Sequence, residues 1–245
     1  MRFLYEEPAI CHKGALIIGD THFGIEDKMA RKGIRQNDIS VMLADKIKFL
    51  IKKTNSNKLI ILGDVKDNIL SVDETTRKIL SGLSDVVEVI VVKGNHDGGI
   101  EAAPNIKVIP PAGFVYEGLG LIHGHAFPSE ELMQCDYLIS AHQHIQFDFH
   151  DRNKTHVRKI WAVLNANKEA ISKRYGIFNE KIKLILMPSF NVLVGKSLKH
   201  PGDEHLGPLF ENKLFKWEHA ILYGMDGVCF GELKNINELI TNGTK

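Results

Sequence analysis

The sequence has few cysteines, almost no net charge and no long hydrophobic run, and each shortage excludes a class of protein. The three cysteines, Cys11, Cys135 and Cys229, are far apart and form no Cys-x-x-Cys pair. This usage argues against a disulfide framework and a thiolate zinc site, and it favours a reducing compartment. The formal net charge is +1, so any attraction to nucleic acid must come from local patches.

The chain also lacks the features of a membrane or secreted protein. No apolar run approaches the roughly 20 residues that cross a bilayer. Acidic residues interrupt the N-terminal stretch MRFLYEEPAI, which therefore lacks the apolar region of a secretory signal. We expect a cytoplasmic protein without a membrane partner. Because no linker-like segment is visible, we also expect residues 1–245 to form a single domain.

Strand and helix patterns alternate in the first part of the chain. The apolar runs ALIIGD (15–20), KLIILGD (58–64) and VVEVIVVKGNHD (86–97) predict buried strands. Residues 39–53 and 73–82 between them predict helices. This order predicts a largely parallel sheet that is covered by helices.

Short strands dominate after residue 105. They include a predicted hairpin over 145–164, followed by a helix in NANKEAISKRYG and a surface loop over 195–217. We therefore expect an α+β fold in which two mixed sheets pack face to face, with helices on the outside.

Polar side chains of a restricted kind follow five of the predicted strands. They are Asp20 and His22 in GDTH, Asp64 in GDVKD, Asn95 and His96 in GNHD, His123 in IHGH, and His142 and His144 in AHQH. In open α/β sheets, ligands bind beyond the carboxyl ends of the strands. Carboxylate, imidazole and amide groups without thiolate suit Mn²⁺, Fe or Zn²⁺. The pattern predicts a metal site at this edge.

Each motif by itself is weak. GNHD could be a plain turn, because Gly, Asn and Asp all favour turns, and a lone histidine is more often packed or exposed than a ligand. Their coincidence on five strand ends is a strong signal. The candidates also exceed what one catalytic metal needs. Two metals that share a carboxylate, roughly 3.5–4 Å apart, can clamp the attacking and leaving oxygens of a phosphoryl transfer.

Together these motifs resemble those of the calcineurin-like metallophosphoesterase superfamily, which read D-x-H, G-D-x-x-D, G-N-H-D/E, a later H and G-H-x-H. The match runs from Asp20 to His144. DTHFG and GNHD look like the SbcD branch of repair nucleases. The stretch LMPSFNVLVGK…HLGPLF (186–210) is similar to small SbcD-related archaeal phosphoesterases and their DNA-ligase-associated bacterial relatives. The resemblance implies a four-layer αββα sandwich.

The resemblance also implies a role for each site residue. Asp20, His22 and His144 would hold one metal, Asp64 would bridge, and Asn95, His123 and His142 would hold the second. His96 would assist the leaving oxygen and Asp97 would orient His96. Two divalent metals are expected as cofactors, with Mn²⁺ favoured and Fe, Zn²⁺ and Ni²⁺ as alternatives.

Two departures from the family pattern bear on these expectations. Ala141 stands where the last motif normally has glycine, and its methyl group could shift His142. The second motif reads GDVKDN and lacks the DRG of protein Ser/Thr phosphatases, which also carry GNHE rather than GNHD. Protein phosphatase activity is therefore disfavoured.

The resemblance implies a metal-dependent phosphodiesterase, with a DNA or RNA nuclease linked to DNA repair as one form. A phosphomonoesterase or cyclic-nucleotide phosphodiesterase is the alternative within the same fold. A protein-binding scaffold with a vestigial metal site is the alternative from another class. The segment 150–183 has nine Lys and Arg against three Asp and Glu; it could attract nucleic acid or be a solvated surface. Homo-oligomerisation stays open.

Overall fold

Two β-sheets with helices on their outer faces make up the fold. The computed structural model describes residues 1–31, 33, 38–151, 154–197 and 207–236. The helices are α1 (Ile25–Arg31), α2 (Ile39–Thr54), α3 (Glu74–Ser84), α4 (Lys168–Ser172) and α5 (Pro208–Glu211). Short 3-10 helices span Ile100–Ala102, Leu132–Gln134 and Trp217–His219.

The first sheet comes from the N-terminal part of the chain. Its described strands, in their order across the sheet, are β1 (Arg2–Phe3), β2 (Ile10–His12), β3 (Ala15–Ile18), β4 (Lys58–Leu62), β5 (Glu88–Val92) and β6 (Ile106–Ile109). β3 to β6 pair in parallel, whereas β1 and β2 form an antiparallel edge. The predicted parallel sheet is present, and the antiparallel edge is an addition that the sequence patterns did not predict.

The second sheet holds the remaining described strands. They are β7 (Phe114–Tyr116), β8 (Leu119–Ile122), β9 (Tyr137–Ser140), β10 (Ile145–Asp151), β11 (Lys154–Asn165), β12 (Lys183–Leu186), β13 (Lys196–Ser197), β14 (Ile221–Gly224) and β15 (Cys229–Glu232). Their order is β13-β10-β11-β12-β9-β8-β7, and β14 pairs with β11 and β15. β8, β9 and β12 run in parallel within this otherwise largely antiparallel sheet.

Alternation along the strands divides the core into three apolar layers. In β3, Leu16 and Ile18 face α2 and α3, while Ile17 faces the second sheet. This is the period of two that a strand buried on both faces shows. Ile139 belongs to the layer between the sheets, whereas Leu138 packs outward toward α4 and α5. The expected α+β fold, a four-layer αββα sandwich, is confirmed.

Local sequence explains the buried face of α2 and the start of α3. The buried face of α2 carries Leu43, Ile47, Leu50 and Ile51, a spacing of one helical face. α3 begins at Asp73, whose side chain accepts a hydrogen bond from the backbone N–H of Thr76 at 2.8 Å. An N-cap aspartate of this kind typically stabilises a helix by about 1 kcal/mol.

Several elements differ from their predicted extent. The third strand ends at Val92, before GNHD, so that motif forms a loop. The helix predicted in NANKEAISKRYG covers only Lys168–Ser172. The surface loop predicted over 195–217 contains α5, and its residues 198–206 lie outside the described part of the chain. Within the described residues, no helix has the length and apolar character needed to cross a bilayer.

Candidate metal centre

The strand ends of both sheets bring the predicted ligands together. Two groups have ligand atoms that all lie within 4.8 Å of one another: Asp20, His22, Asp64 and His144 form the first, and Asp64, His123 and His142 form the second. Asp64 belongs to both groups. The seventh predicted ligand, Asn95, places Oδ1 3.1 Å from His123 Nε2. All seven side chains therefore lie around one centre, although their roles as ligands stay a prediction.

Most of these side chains come from an unusual backbone. Five of the seven predicted ligands have left-handed φ angles: Asp20 (56°), His22 (41°), Asp64 (48°), His142 (72°) and His144 (48°). Such a conformation in a residue other than glycine costs on the order of 1–3 kcal/mol and persists only where the surrounding structure imposes it. At these five positions the left-handed backbone coincides with the polar cluster.

Glycines allow the strand ends to approach closely. A Cβ on Gly94 would lie 2.3 Å from the backbone N of Asp64, and a Cβ on Gly63 would lie 2.4 Å from Nδ1 of His123. Both distances are far below van der Waals contact. Gly94 therefore allows two strand ends of the first sheet to approach each other, and Gly63 allows the approach of His123 from the second sheet.

Ala141 is accommodated by a glycine on the other sheet. A Cβ on Gly19 would lie 2.6 Å from the Ala141 Cβ, so the bare Gly19 leaves room for that methyl group. The backbone N–H of His142 lies 3.2 Å from both carboxylate oxygens of Asp20. The departure from the family pattern at this position is thus compensated, and His142 remains in the cluster.

Hydrogen bonds to the main chain orient the central side chains. His123 is fully buried, and its Nδ1 donates to the Leu62 carbonyl at 2.8 Å. This bond leaves Nε2 facing Asp64 Oδ1 at 3.4 Å. Metal-binding histidines commonly donate their second nitrogen to a carbonyl in this way. The orientation of His123 therefore suits a metal ligand.

The two carboxylates of the cluster carry negative charge, which a metal ion would neutralise. Asp20 and Asp64 are buried, and burial alone raises a carboxyl pKa. Nearby histidines outweigh that effect and hold both pKa values below the usual range: His144 and His123 act on Asp20, and His123 and His22 on Asp64. Both groups thus stay anionic, which is the state that binds metal.

The two neighbouring imidazoles respond in opposite directions. For His123, burial acts to lower the pKa, but the charges of Asp64 and Asp20 and the hydrogen bonds of His123 together outweigh burial, and the pKa rises to about 9. For His142, burial and the charge of His123 lower the pKa to about 3. His142 Nδ1 lies 3.1 Å from His123 Nε2. The pKa values of these two adjacent imidazoles are therefore displaced in opposite directions.

The donor set fits a pair of divalent ions. It contains two anionic carboxylates, four imidazoles and an amide oxygen, and one carboxylate is shared between the two groups. This is oxygen and nitrogen ligation without thiolate, as borderline divalent metals prefer. A third group, His22, Asp67 and His96, also has ligand atoms within 4.8 Å of one another.

The structure revises how Asp97 acts on His96. The carboxylate of Asp97 accepts hydrogen bonds from the backbone N–H groups of Val65, at 2.9 Å, and Gly94, at 2.8 Å. His96 instead places its Nδ1 3.2 Å from the Asp67 carbonyl. In the described structure, Asp97 thus holds the turn that carries His96, and the Asp67 main chain orients the ring. The catalytic roles of both residues stay predictions.

Sequence reasoning missed two lysines close to the site, one of which is fully buried. Lys66 is fully buried, and Lys159 in β11 donates hydrogen bonds to the carbonyls of Ser189 and Asn191. Asn191 in turn donates from Nδ2 to the Thr21 carbonyl at 2.8 Å, between the two ligands of the first motif. The only sequence signal for Lys66 was a basic residue between two acids in GDVKD.

The basic segment 150–183 is not a uniform cationic surface in its described part. Lys159 turns inward, Lys168 pairs with Glu180 at 2.7 Å, and Arg174 stacks 3.3 Å from the ring centre of Phe127. The aromatic Trp161 is 4% exposed and packs in the core. These side chains are packed or paired, whereas Arg158, Lys173, Lys181 and Lys183 of the same segment are exposed.

The fold and the metal cluster define a class of enzyme. The sequence matches the family "Calcineurin-like phosphoesterase" over residues 15–231. The chain belongs to this family, whose members are hydrolases that use divalent metals. No curated protein matches the chain in sequence.

Two solved structures resemble the chain. One is the nuclease MPE from Pseudomonas putida, with a TM-score of 0.55 and 19% identity, covering 91% of each chain. The other is Yfce, a phosphoesterase from E. coli, with a TM-score of 0.44 and 15% identity, covering 89% of this chain and 97% of that one. The first likeness supports the fold; the second is too distant to support an argument.

Proposed function

We propose that the protein is a phosphodiesterase that works with two divalent metals, with Mn²⁺ as the favoured pair. The observation that carries this proposal is the sharing of Asp64 between two ligand groups. Asp20, His22, Asp64 and His144 would hold one ion, and Asp64, Asn95, His123 and His142 the other. When bound, such a pair neutralises phosphoryl charge and activates water near neutral pH.

His96 is proposed as the general acid for the leaving alcohol. It lies beside the ligand groups, partly exposed, with its ring centre 5.0 Å from that of His22. Because Nδ1 points to the Asp67 carbonyl, Nε2 is the nitrogen left to face a substrate. Water adds to phosphorus and loses a proton to solvent while the P–O bond to the alcohol breaks; the electron pair of that bond passes to the alcohol oxygen, which takes the Nε2 proton. A positioned histidine suits this step near pH 7.

A nucleic-acid phosphodiester is the finer proposal for the substrate. It is supported by the motif resemblance and by the fold likeness to a nuclease. A role in DNA repair would follow from that substrate. Phosphomonoesters and cyclic nucleotides are competing substrates within the same chemistry. A cytoplasmic location is proposed from the cysteine usage.

A substrate panel tests the proposal. Protein freed of metal and reloaded with Mn²⁺ is assayed on bis-p-nitrophenyl phosphate, p-nitrophenyl phosphate, cyclic nucleotides, and single- and double-stranded DNA. We expect both the synthetic diester and DNA to be cleaved faster than the monoester. A higher kcat/KM on the monoester would instead support a phosphomonoesterase. Metal binding without turnover of any substrate would reject the enzyme proposal.

A matched pair of variants separates the site from contaminating activity. Asp64→Asn removes the shared carboxylate, whereas Asp45→Asn makes the same chemical change at an exposed position of α2. Cleavage by the first variant at the wild-type rate would show that the measured activity comes from elsewhere. Cleavage by the second should equal that of the wild type.

A further inference from the structure

Lys66 is a fully buried cation immediately beside the proposed active site. Its side chain has no exposed surface, and a buried ammonium is costly unless it is fully hydrogen-bonded. The ammonium of a lysine has three donors. In Lys66 all three are used by main-chain carbonyls: those of Asn68, Ile69 (3.1 Å) and His96 (2.7 Å).

The partners of Lys66 link two separate loops. Asn68 and Ile69 lie in the turn that follows β4, whereas His96 lies in the loop after β5. The turn is close enough to the second loop that a Cβ on Gly98 would lie 2.4 Å from the Ile69 carbonyl oxygen. The ammonium therefore fastens the two loops at the point where they meet.

His96 is held at three points by one short segment. Its backbone N–H donates to Asp64 Oδ1 at 2.9 Å, its carbonyl accepts from Lys66, and its ring Nδ1 faces the Asp67 carbonyl at 3.2 Å. The segment from Asp64 to Asp67 thus fixes the main chain and the ring of His96. Within that segment, the Lys66 side chain donates the hydrogen bond to the His96 carbonyl.

We propose that Lys66 is a positioning residue for His96. It holds the His96 main chain and the 67–69 turn together, so that Nδ1 stays on the Asp67 carbonyl and Nε2 faces the leaving oxygen. The catalytic part of this inference rests on the proposed function. The positioning part does not, because it concerns the ring of His96 in the protein without substrate.

The first test is the tautomer of His96 in metal-free protein. Nitrogen chemical shifts of the imidazole, assigned with a His96→Gln variant, should show a proton fixed on Nδ1. In Lys66→Met, which keeps the hydrocarbon stem but loses the ammonium, we expect a mixture of tautomers. An unchanged His96 signal in Lys66→Met would overturn the proposal, whatever substrate the enzyme has.

The second test uses leaving groups of different acidity. A nucleoside p-nitrophenyl phosphate loses a stable anion, whereas a dinucleoside monophosphate loses an alcohol that needs a proton. For Lys66→Met at saturating Mn²⁺ we expect a fall in kcat of roughly 10- to 100-fold on the second substrate. That is part of the 10²–10⁴-fold that general acid catalysis supplies. We expect only a few-fold fall on the first, with KM unchanged.

A second lysine with main-chain carbonyl partners provides the control. Lys159 also gives its ammonium to main-chain carbonyls, but those belong to Ser189 and Asn191 rather than to His96. Lys159→Met should leave the ratio of the two kcat values at the wild-type level. Equal losses on both substrates in Lys66→Met would mean a merely structural role and would contradict the proposal.

Two further variants test whether Lys66 acts through His96. If Lys66→Met does not fold, Gly98→Ala tests the same contact between the two loops. Its Cβ would displace the Ile69 carbonyl without touching Lys66. It should change the His96 tautomer and the leaving-group ratio in the same directions. In a His96→Ala background, Lys66→Met should have little further effect, since coupled residues are not additive. Multiplying losses would contradict the coupling.

Discussion

At the residue scale, the site could be predicted in part because its chemistry is written as short motifs. Asp20, Asp64 and His123 each lie within two residues of the end of a buried strand, so their place at the sheet edge follows from the pattern. The left-handed backbone of His142 could not be predicted, since it depends on contacts between two sheets. The room that Gly19 leaves for Ala141 is equally a tertiary feature.

Asp64→Asn tests the shared ligand. The amide keeps the size of the side chain but removes the negative charge that both groups use. We expect metal occupancy by mass spectrometry and diesterase activity to fall together, each by more than about 100-fold, the upper end of the effect of losing a group that supports a metal. A variant that still binds two ions would contradict the assignment of Asp64.

His96→Ala tests the general acid. Its imidazole is proposed to act on substrate rather than to hold metal, so metal content should equal that of the wild type. Turnover of an unactivated diester should fall on the order of 10²–10⁴-fold. An inactive variant that has also lost its metals would show instead that His96 is a ligand.

At the scale of elements, sequence patterns identify those that are long and regular. The apolar face of α2 and the β-branched runs of β4 and β5 agree with the structure. β1, with two residues, and α4, with five, are too short for a periodic pattern to define. Their limits are set by packing against neighbouring strands.

The segment after β12 donates hydrogen bonds to the main chain of the GDTH motif, which carries the predicted ligands Asp20 and His22. Asn191 is fully buried, donates to the Thr21 carbonyl, and its backbone N–H donates to the Asp20 carbonyl at 3.2 Å. Asn191→Ala should weaken metal binding by about 10- to 100-fold, as loss of supporting hydrogen bonds typically does. Isothermal titration with Mn²⁺ measures this directly.

The matched control for that prediction is Asn212→Ala. Asn212 is exposed and its amide donates only to the nearby Pro208 carbonyl among the described contacts. Its metal affinity should equal that of the wild type. If both variants lose affinity equally, the effect is a general loss of stability rather than support of the first motif.

At the scale of the whole molecule, we propose that the chain folds as a single domain. The apolar layer between the sheets joins Ile17 and Ile60 to Ile139 and Ile185, so neither sheet has a complete core alone. Urea unfolding should therefore give one transition, with tryptophan fluorescence and far-UV circular dichroism coinciding. Two separated transitions would contradict the single domain.

Metal binding should also stabilise the whole chain. Free Mn²⁺ at 100 times its Kd adds about 2.7 kcal/mol to the free energy of unfolding, because the unfolded chain lacks the assembled site. For a chain of this size, each additional kcal/mol of stability raises Tm by roughly 2–4 °C. The shift should be absent in Asp64→Asn and present in Asp45→Asn. A metal-independent Tm in the wild type would contradict the assembled site.

We propose that one cluster at the junction of the two sheets holds two metals that share Asp64. Anomalous diffraction at the manganese edge, from crystals grown with Mn²⁺, tests it most directly. We predict two peaks about 3.5–4 Å apart, as in dinuclear phosphoesterase sites, on either side of the Asp64 carboxylate. A single peak, or peaks away from Asp64, would show that Asp64 is not shared by two metal ions.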